Sequence, residues 1–177
     1  MSETHLNFYP TDKKELYKLL AGQIKAMTEF TPYLWSNLAN ISAVLGSALN
    51  DINWVGFYLI PKYFPDHFPL ETMGDKKELL LVGPFQGLPA CVEIRIGKGV
   101  CGTAVEKNEI LLVKNVHEFP GHIACDSASN SEIVLPLHNT NGDVVAVLDI
   151  DSPLLARFDE VDKDGLANVA HMIENIL

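Results

Sequence analysis

Three stretches of the chain repeat apolar residues at the three- and four-residue spacing of an amphipathic helix. Asp12 and Glu15 precede the first stretch in the manner of a capping box. Each stretch predicts a helix that packs one apolar face on a core. The apolar positions are Leu16, Leu19, Leu20, Ile24 and Met27 in the first; Leu34, Leu38, Ile41, Leu45 and Leu49 in the second; and Leu166, Val169, Ile173 and Ile176 in the third.

Between the second and third stretches the pattern changes to short apolar runs that are typical of β-strands. A Gly-rich segment at 97–108 predicts a turn into a short helix. Helices, then consecutive strands, then a helix indicate one α+β domain over residues 1–177. We expect a mostly antiparallel sheet of about six strands with the N- and C-terminal helices on one face. The strand-like runs are 54–60, 78–85, 91–96, 110–113, 132–138 and 143–150.

Residues 61–77 separate the first two predicted strands and show no regular period. They contain three prolines and three aromatic residues. This composition predicts a long loop insertion. A plain surface insertion and a functional loop are both consistent with it.

Composition narrows the class of protein. The chain has 177 residues, 47% hydrophobic residues and a net charge of −10, and no cluster of Lys and Arg suits a nucleic acid or an anionic membrane. The N-terminus lacks an apolar signal-peptide core, and no apolar run reaches the roughly 18 residues of a membrane span. We therefore expect a soluble cytoplasmic protein, small enough to enter a nucleus.

The sequence NTNG at 139–142 predicts a hairpin between the last two strands. A four-residue loop would place Glu132 opposite Asp149. A two-residue turn at Asn141–Gly142 would place Glu132 opposite Asp151. Because positions 149 and 151 share one face of a strand, either register gathers the three carboxylates on one face.

Carboxylates opposed in this way destabilise a sheet and raise one another's pKa. The cluster should therefore hold at least one proton near neutral pH. Perturbed carboxyl groups of this kind favour a functional site. The structural alternative is that the strand ends open into water and leave three solvated carboxylates.

Cys125 precedes Glu132 by a short run of small polar residues, so its thiol should lie near the carboxylates. Neighbouring carboxylates disfavour a thiolate, but they suit sulfoxide reduction, in which a thiol attacks sulfur while an acid protonates the leaving oxygen. The sulfenic acid formed can condense with a second thiol, and Cys91 and Cys101 are available. The alternative is that all three cysteines are small buried hydrophobes.

Further residues could line such a site. Trp54 and Tyr58 share one face of a predicted strand and could hold a methyl group, although plain core aromatics fit the spacing equally well. The Gly-rich turn at 97–108 could offer backbone N–H groups to an anion. His117 and His122 permit a Cys–His pair or a metal site, but no matching set of ligands accompanies them.

Three long motifs resemble the free methionine-(R)-sulfoxide reductases, a family of stand-alone GAF-domain enzymes. They are GPFQGLPACVEIRIGKGVCGTAV at 83–105, HIACDSASNSEIVLPL at 122–137 and AVLDIDSP at 146–153. The similarity runs from about Trp54 to Phe158, and the flanking helices fit a GAF-type fold. The segment 61–77 is longer than the turn usual in the family.

The resemblance implies roles for individual residues. Cys125 matches the catalytic nucleophile, Cys91 the resolving cysteine, and Cys101 a third thiol that can join disulfide exchange. The carboxylates Glu132, Asp149 and Asp151 match groups that engage the substrate. From the chemistry of the cluster we also expect Glu132 to be the acid that protonates the leaving oxygen. Trp54 and Tyr58 match the aromatic wall around the substrate methyl group.

The resemblance also implies the reaction and its partners. Family members reduce the R epimer of free methionine sulfoxide, not peptide-bound residues, as an oxidative-stress repair reaction. Thioredoxin regenerates the enzyme, no metal or organic cofactor is expected, and a homodimer is compatible with this interpretation. The main alternative is a GAF regulatory module that binds a small molecule without catalysis; a second is a dimerisation scaffold with inert cysteines.

Overall fold

The computed structural model describes residues 9–74, 78–121 and 127–177. The helices in these ranges are α1 (Lys13–Thr28), α2 (Leu34–Ala48), α3 (Leu70–Met73), α4 (Gly99–Lys107) and α5 (Glu160–Glu174). The strands are β1 (Trp54–Leu59), β2 (Leu80–Gly87), β3 (Glu93–Ile94), β4 (Leu111–Val113), β5 (Ser131–His138) and β6 (Val144–Ser152). Within the described ranges, no helix has the length and apolar character needed to cross a membrane.

The described strands form a six-stranded sheet in the order β3-β2-β1-β6-β5-β4. Each neighbouring pair is antiparallel. The predicted α+β class, the strand number and the antiparallel pairing are therefore confirmed. β1, β5 and β6 lie inside the sheet and are almost wholly buried, which agrees with their continuous apolar runs.

Side chains cap the first turns of α1 and α5, the helices nearest the two ends of the chain. The side chain of Asp12 accepts a hydrogen bond from the backbone N–H of Glu15 at 3.0 Å and starts α1. At α5, Asp159 and Asp162 form a reciprocal capping box. These side chains satisfy backbone donors that the first helical turn leaves without partners.

The sheet has two covered faces with different roles. One face carries Phe57 and Leu148, which pack with α1, α2 and α5 in the larger core. The opposite face carries Tyr58 and Val147, which pack with Ala104 of α4 in a smaller core. The prediction that the terminal helices share one face is confirmed. The short helix α4 covers the other face, and side chains there alternate with those of the main core.

The segment 61–77 is not the featureless loop that its composition predicts. It contains a 3₁₀ turn at Pro61–Tyr63 and the short helix α3, while residues 75–77 lie outside the described ranges. His67 and Phe68 make edge-to-face contacts with Trp35 of α2, at ring-centroid distances of 5.2 and 5.8 Å. These aromatic contacts with α2 hold part of the segment in place, and the apolar pattern of the sequence did not predict them.

The β5–β6 hairpin settles the register that the sequence left open. Glu132 pairs with Asp151, as the shorter turn predicts, so the register with Asp149 is wrong. The turn differs from both alternatives, since the backbone N–H groups of Asn139 and Gly142 bond to the carbonyls of Asp143 and Asn139. A register shift between Leu137 and His138 then corrects the pairing along the rest of the ladder.

A buried carboxylate ties α1 to the start of α5. Asp162 is fully buried and accepts hydrogen bonds from the Tyr17 hydroxyl at 2.7 Å and from Lys13 Nζ at 2.6 Å. The Arg157 guanidinium lies 3.4 Å away. Two cations and a phenol compensate the desolvation of one anion, which is the condition under which a buried charge is tolerated.

We expect Asp162→Asn to lower the free energy of unfolding by about 2–4 kcal/mol, because it leaves Lys13 and Arg157 without their shared anion. Asp164→Asn, on the exposed side of the same helix, is the matched control and should change stability by less than about 0.5 kcal/mol. Urea denaturation followed by far-ultraviolet circular dichroism measures both. Equal stability of the two variants would contradict a stabilising role for this cluster.

Candidate active site

The carboxylates predicted to cluster lie on the α4-facing side of the sheet. Glu132 on β5 pairs with Asp151 on β6, and Asp151 pairs in turn with Trp54 on β1. Asp149 pairs with Gly56. Glu132 and Asp149 are only 6% and 5% exposed, and Asp151 is half-buried. The alternative of three carboxylates solvated at open strand ends therefore fails for two of the three.

Cys101, in the first turn of α4, closes over this carboxylate face. Its Sγ donates to Glu132 Oε1 at 3.9 Å. One ligand atom from each of Cys101, Glu132 and Asp149 lies within 4.8 Å of the others. Spacing along the chain did not indicate this contact, because it depends on how α4 crosses the sheet. Cys125, the thiol expected near the acids, lies outside the described residues.

Burial dominates the electrostatics of the acid pair. It raises the pKa of Glu132 well above its ordinary value, and the negative charges of Asp149 and Asp151 raise it further. Burial also raises the pKa of Asp149, to about 6, although hydrogen bonds from Cys101 and Glu132 oppose the shift. Near neutral pH the pair of Glu132 and Asp149 therefore holds one proton.

Cys101 is a protonated thiol in this setting. Burial raises its pKa well above the ordinary value, and the nearby charges of Asp149 and Glu132 raise it further. Since the thiolate is the reactive form, this cysteine is a weak nucleophile while the acids surround it. Its S–H group serves as a hydrogen-bond donor to the acid pair.

An aromatic wall borders the acids. The Trp54 ring stacks on Tyr58 and Phe85, with ring-centroid distances of 5.8 and 5.2 Å. The Tyr58 hydroxyl donates to the backbone carbonyl of Cys91 at 3.1 Å. Burial raises the pKa of Tyr58 above its ordinary value, with a smaller contribution from Asp149, so the phenol remains a neutral donor. The predicted shared face of Trp54 and Tyr58 is confirmed.

Two glycines let the Trp54 indole lie flat on the sheet. A Cβ at Gly56 would come within 2.7 Å of Trp54 Cη2 and 2.3 Å of Phe85 Cβ. A Cβ at Gly87, where φ is +136°, would lie 2.5 Å from Trp54 Cδ1. A side chain at either position would push the ring away, so the shape of the aromatic wall depends on glycine at both positions.

Two buried polar atoms on the α4-facing side of the sheet have no hydrogen-bond partner among the described residues. They are Oδ1 of Asp149 and Nε1 of Trp54. Buried polar groups in folded proteins are nearly always satisfied, and an exception calls for a functional explanation. One acceptor and one donor on the same face of the sheet indicate a place for a polar ligand.

Cys91 lies two residues before β3, next to Tyr58 of the aromatic wall. It is half-buried and disulfide-bonded, whereas Cys101 is free. Its expected partner, Cys125, lies outside the described residues, so the pairing of Cys91 with Cys125 stays a prediction. A redox-active role for Cys91 agrees with its disulfide bond.

Of the histidines His117 and His122, only His117 lies within the described residues. His117 contacts the side chain of Asn130, with Nε2 3.0 Å from Oδ1, and His122 lies outside the described ranges. Within the described ranges, Cys101, Glu132 and Asp149 bring three possible metal-ligand atoms together. The expected absence of a metal and of an organic cofactor stays a prediction.

Comparison with known proteins identifies the family. The GAF domain profile matches residues 37–177. Protein YtsP of Bacillus subtilis is 46% identical, with 98% of each chain covered. The free methionine-R-sulfoxide reductase of Escherichia coli is 44% identical over 96% of this chain and 88% of its own. The chain belongs to the free methionine-R-sulfoxide reductase family of GAF-domain proteins.

A solved structure of the same family supports the fold of this reductase. The free methionine-R-sulfoxide reductase from Neisseria meningitidis, solved in complex with its substrate, is 39% identical and has a TM-score of 0.83. The match covers 96% of this chain and 92% of that chain. The GAF-type α+β fold inferred from the sequence is therefore confirmed, and the individual roles of the site residues stay predictions.

The acid pair makes the stability of this reductase depend on pH. Because the pKa of Asp149 is raised to about 6 in the folded protein, the contribution of this group to stability is fully present below its unfolded pKa of about 4 and is lost as pH rises through 6. We expect Asp149→Asn to be more stable than wild type by roughly 1–3 kcal/mol at pH 8, and this difference to vanish near pH 4.

Chemical denaturation at several pH values measures the effect. Asp143→Asn, at the exposed position directly before β6, controls for the loss of one negative charge. A gain that is independent of pH, or one that Asp143→Asn reproduces, would contradict the raised pKa.

Proposed function

We propose that this protein reduces the R epimer of free methionine sulfoxide to methionine on the face shared by the acid pair and the aromatic wall. The observation that carries the proposal is the buried pair of Glu132 and Asp149, which retains a proton beside a polar atom without a partner. A sulfoxide oxygen can leave only if it is protonated, and Glu132 is a buried acid poised to protonate it.

The similarity to named enzymes supports the same reaction. The relatives from Escherichia coli and Saccharomyces cerevisiae, 44% and 36% identical, are both free methionine-R-sulfoxide reductases. This chain covers 88% and 90% of their lengths, so the comparison extends over nearly the whole enzyme. The chain is accordingly an oxidoreductase.

The chemical step begins at Cys125, the residue that matches the family nucleophile. Its sulfur attacks the sulfoxide sulfur while Glu132 gives its proton to the oxygen. The hydroxyl then passes to the Cys125 sulfur as the S–O bond and the new bond between the two sulfur atoms break. Methionine leaves, reduced by two electrons, and Cys125 is oxidised to a sulfenic acid. The proton of the Cys125 thiol returns to the pair of Glu132 and Asp149, because two ionised carboxyl groups at this separation repel each other.

Cys91 completes the oxidative half of the cycle. Its thiol attacks the sulfenic acid, water leaves, and a Cys91–Cys125 disulfide forms. Cys101 is the third thiol, and both its burial and the nearby charges of the acid pair raise its pKa and keep it unreactive. A dithiol reductant, thioredoxin, then restores the two thiols in the cytoplasm, where we place the protein.

The S-methyl group and the ammonium group of the substrate match the aromatic wall and the carboxylates of the site. Trp54 and Tyr58 offer an apolar wall to the S-methyl group. Asp149 and Asp151 offer acceptors to the ammonium group of a free amino acid, which a residue within a peptide lacks. The site should therefore prefer the free amino acid.

A turnover assay on separated epimers tests the function. We expect consumption of free L-methionine (R)-S-oxide with a dithiol reductant, little consumption of the S epimer, and little activity on the N-acetylated R epimer. Amino-acid analysis of methionine formed is the measurement. Equal rates on both epimers, or on the free and N-acetylated compounds, would refute the proposal.

We expect Glu132→Gln to lower the single-turnover rate by about 10²–10⁴-fold, because glutamine can donate a hydrogen bond but cannot transfer the proton. The loss of rate that deprotonation causes in wild type at high pH should be absent from the variant. Rapid-quench measurement of methionine formed over a pH series tests both effects.

Glu109→Gln, at an exposed position after α4, is the control for this experiment and should match wild type. A Glu132→Gln rate within about twofold of wild type, with the same pH profile, would show that Glu132 is not the acid.

A further inference from the structure

The residues around the redox-active Cys91 expose an unusual amount of apolar surface. Leu88 and Val92 are 63% and 65% exposed, and Pro89 between them is also exposed. Ile96, four residues beyond Val92, adds a further exposed apolar side chain. We call residues 88–92 the Cys91 rim. Its centre is a disulfide-bonded cysteine.

The backbone fixes the rim in place on both sides of the cysteine. The Tyr58 hydroxyl holds the carbonyl of Cys91 at 3.1 Å, and the N–H of Val82 donates to the carbonyl of Val92 at 3.1 Å. Gly87, with φ at +136°, makes the turn from β2 into the rim. The apolar side chains therefore project from an ordered segment, and binding to it costs little conformational entropy.

The rim also lies at an accessible edge of the molecule. β3 ends the described strand order and pairs with β2, so the segment that carries Cys91 borders the sheet edge. Such an edge admits another protein more readily than the acid face beneath α4 does. The disulfide-bonded Cys91 thus lies next to a sheet edge as well as next to the Tyr58 side of the site.

We propose that the Cys91 rim is the docking surface of a protein dithiol reductant, with Leu88 and Val92 as its apolar anchors. The inference rests on the proposed function, which leaves a disulfide to be reduced after each turnover. A thiolate of the reductant attacks Cys91 Sγ, forms a mixed disulfide and releases the partner thiolate, which takes up a proton. The second thiol of the reductant then releases Cys91, and the reductant is oxidised by two electrons.

Chemistry favours a protein over a small thiol as the occupant. A small anionic thiol gains little from exposed leucine and valine, and the net charge of −10 repels it. A protein whose dithiol sits in an apolar surface buries both side chains when its sulfur reaches Cys91. Removing the apolar surface of both side chains from water contributes favourably to the free energy of such a contact.

The test measures reduction of the oxidised protein itself and needs no methionine sulfoxide. Thioredoxin is the protein probe and dithiothreitol the small one; alkylation after acid quench, read by mass spectrometry, counts the thiols released. We expect Leu88→Gln and Val92→Thr each to lower the rate constant with thioredoxin by about tenfold, a loss of about 1.4 kcal/mol in binding. The rate with dithiothreitol should not change.

Phe30→Gln is the matched control, since Phe30 is 83% exposed on the connection between α1 and α2, and it should behave as wild type with both reductants. A thioredoxin variant that keeps only its attacking cysteine should form a mixed disulfide at Cys91. Unchanged thioredoxin rates in both rim variants, or equal losses with both reductants, would overturn the docking surface. A failed epimer assay would refute the function alone, because disulfide reduction is measured separately.

Discussion

Burial of two adjacent carboxyl groups on one face of a sheet is the constraint around which this protein is built. Glu132 and Asp149 cannot both ionise in the closed space beneath α4, so one proton stays with the pair at neutral pH. The arrangement lowers the free energy of unfolding as pH rises, because ionising a buried carboxyl group costs more in the folded protein than in the unfolded chain. The cost is tolerated because the opposite face of the same strands packs a large apolar core with three helices.

The surroundings of the pair follow from this arrangement. Cys101 contributes a thiol that stays protonated and donates toward Glu132. Gly56 and Gly87 leave room for a flat indole, so Trp54 forms a wall without intruding on the acids. Proton donor, apolar wall and unsatisfied polar atoms thus share one face, as reduction of a small zwitterionic sulfoxide requires. Cys125, the nucleophile that the family resemblance assigns, lies outside the described residues.

In the proposed function, the two redox tasks use different parts of the fold. Proton transfer to oxygen needs a dry site, because water would lower the pKa of the buried acid. Regeneration by a protein needs an accessible sulfur with apolar surface around it, and the Cys91 rim provides both at the sheet edge. Tyr58 links the two regions, since its ring stacks on Trp54 and its hydroxyl holds the carbonyl of Cys91.

The sequence by itself determined the helices, the strands and the shared face of Glu132, Asp149 and Asp151, because apolar spacing and side-chain alternation are local properties. Long motifs also identified the family. Only the tertiary structure decided that Glu132 faces Asp151, since a register shift near the turn compensates for its length. Only packing brought Cys101 to the acids and gave the segment after β1 its contacts with Trp35. Such contacts join residues distant in the chain through the way a helix crosses a sheet, and no local pattern records that crossing.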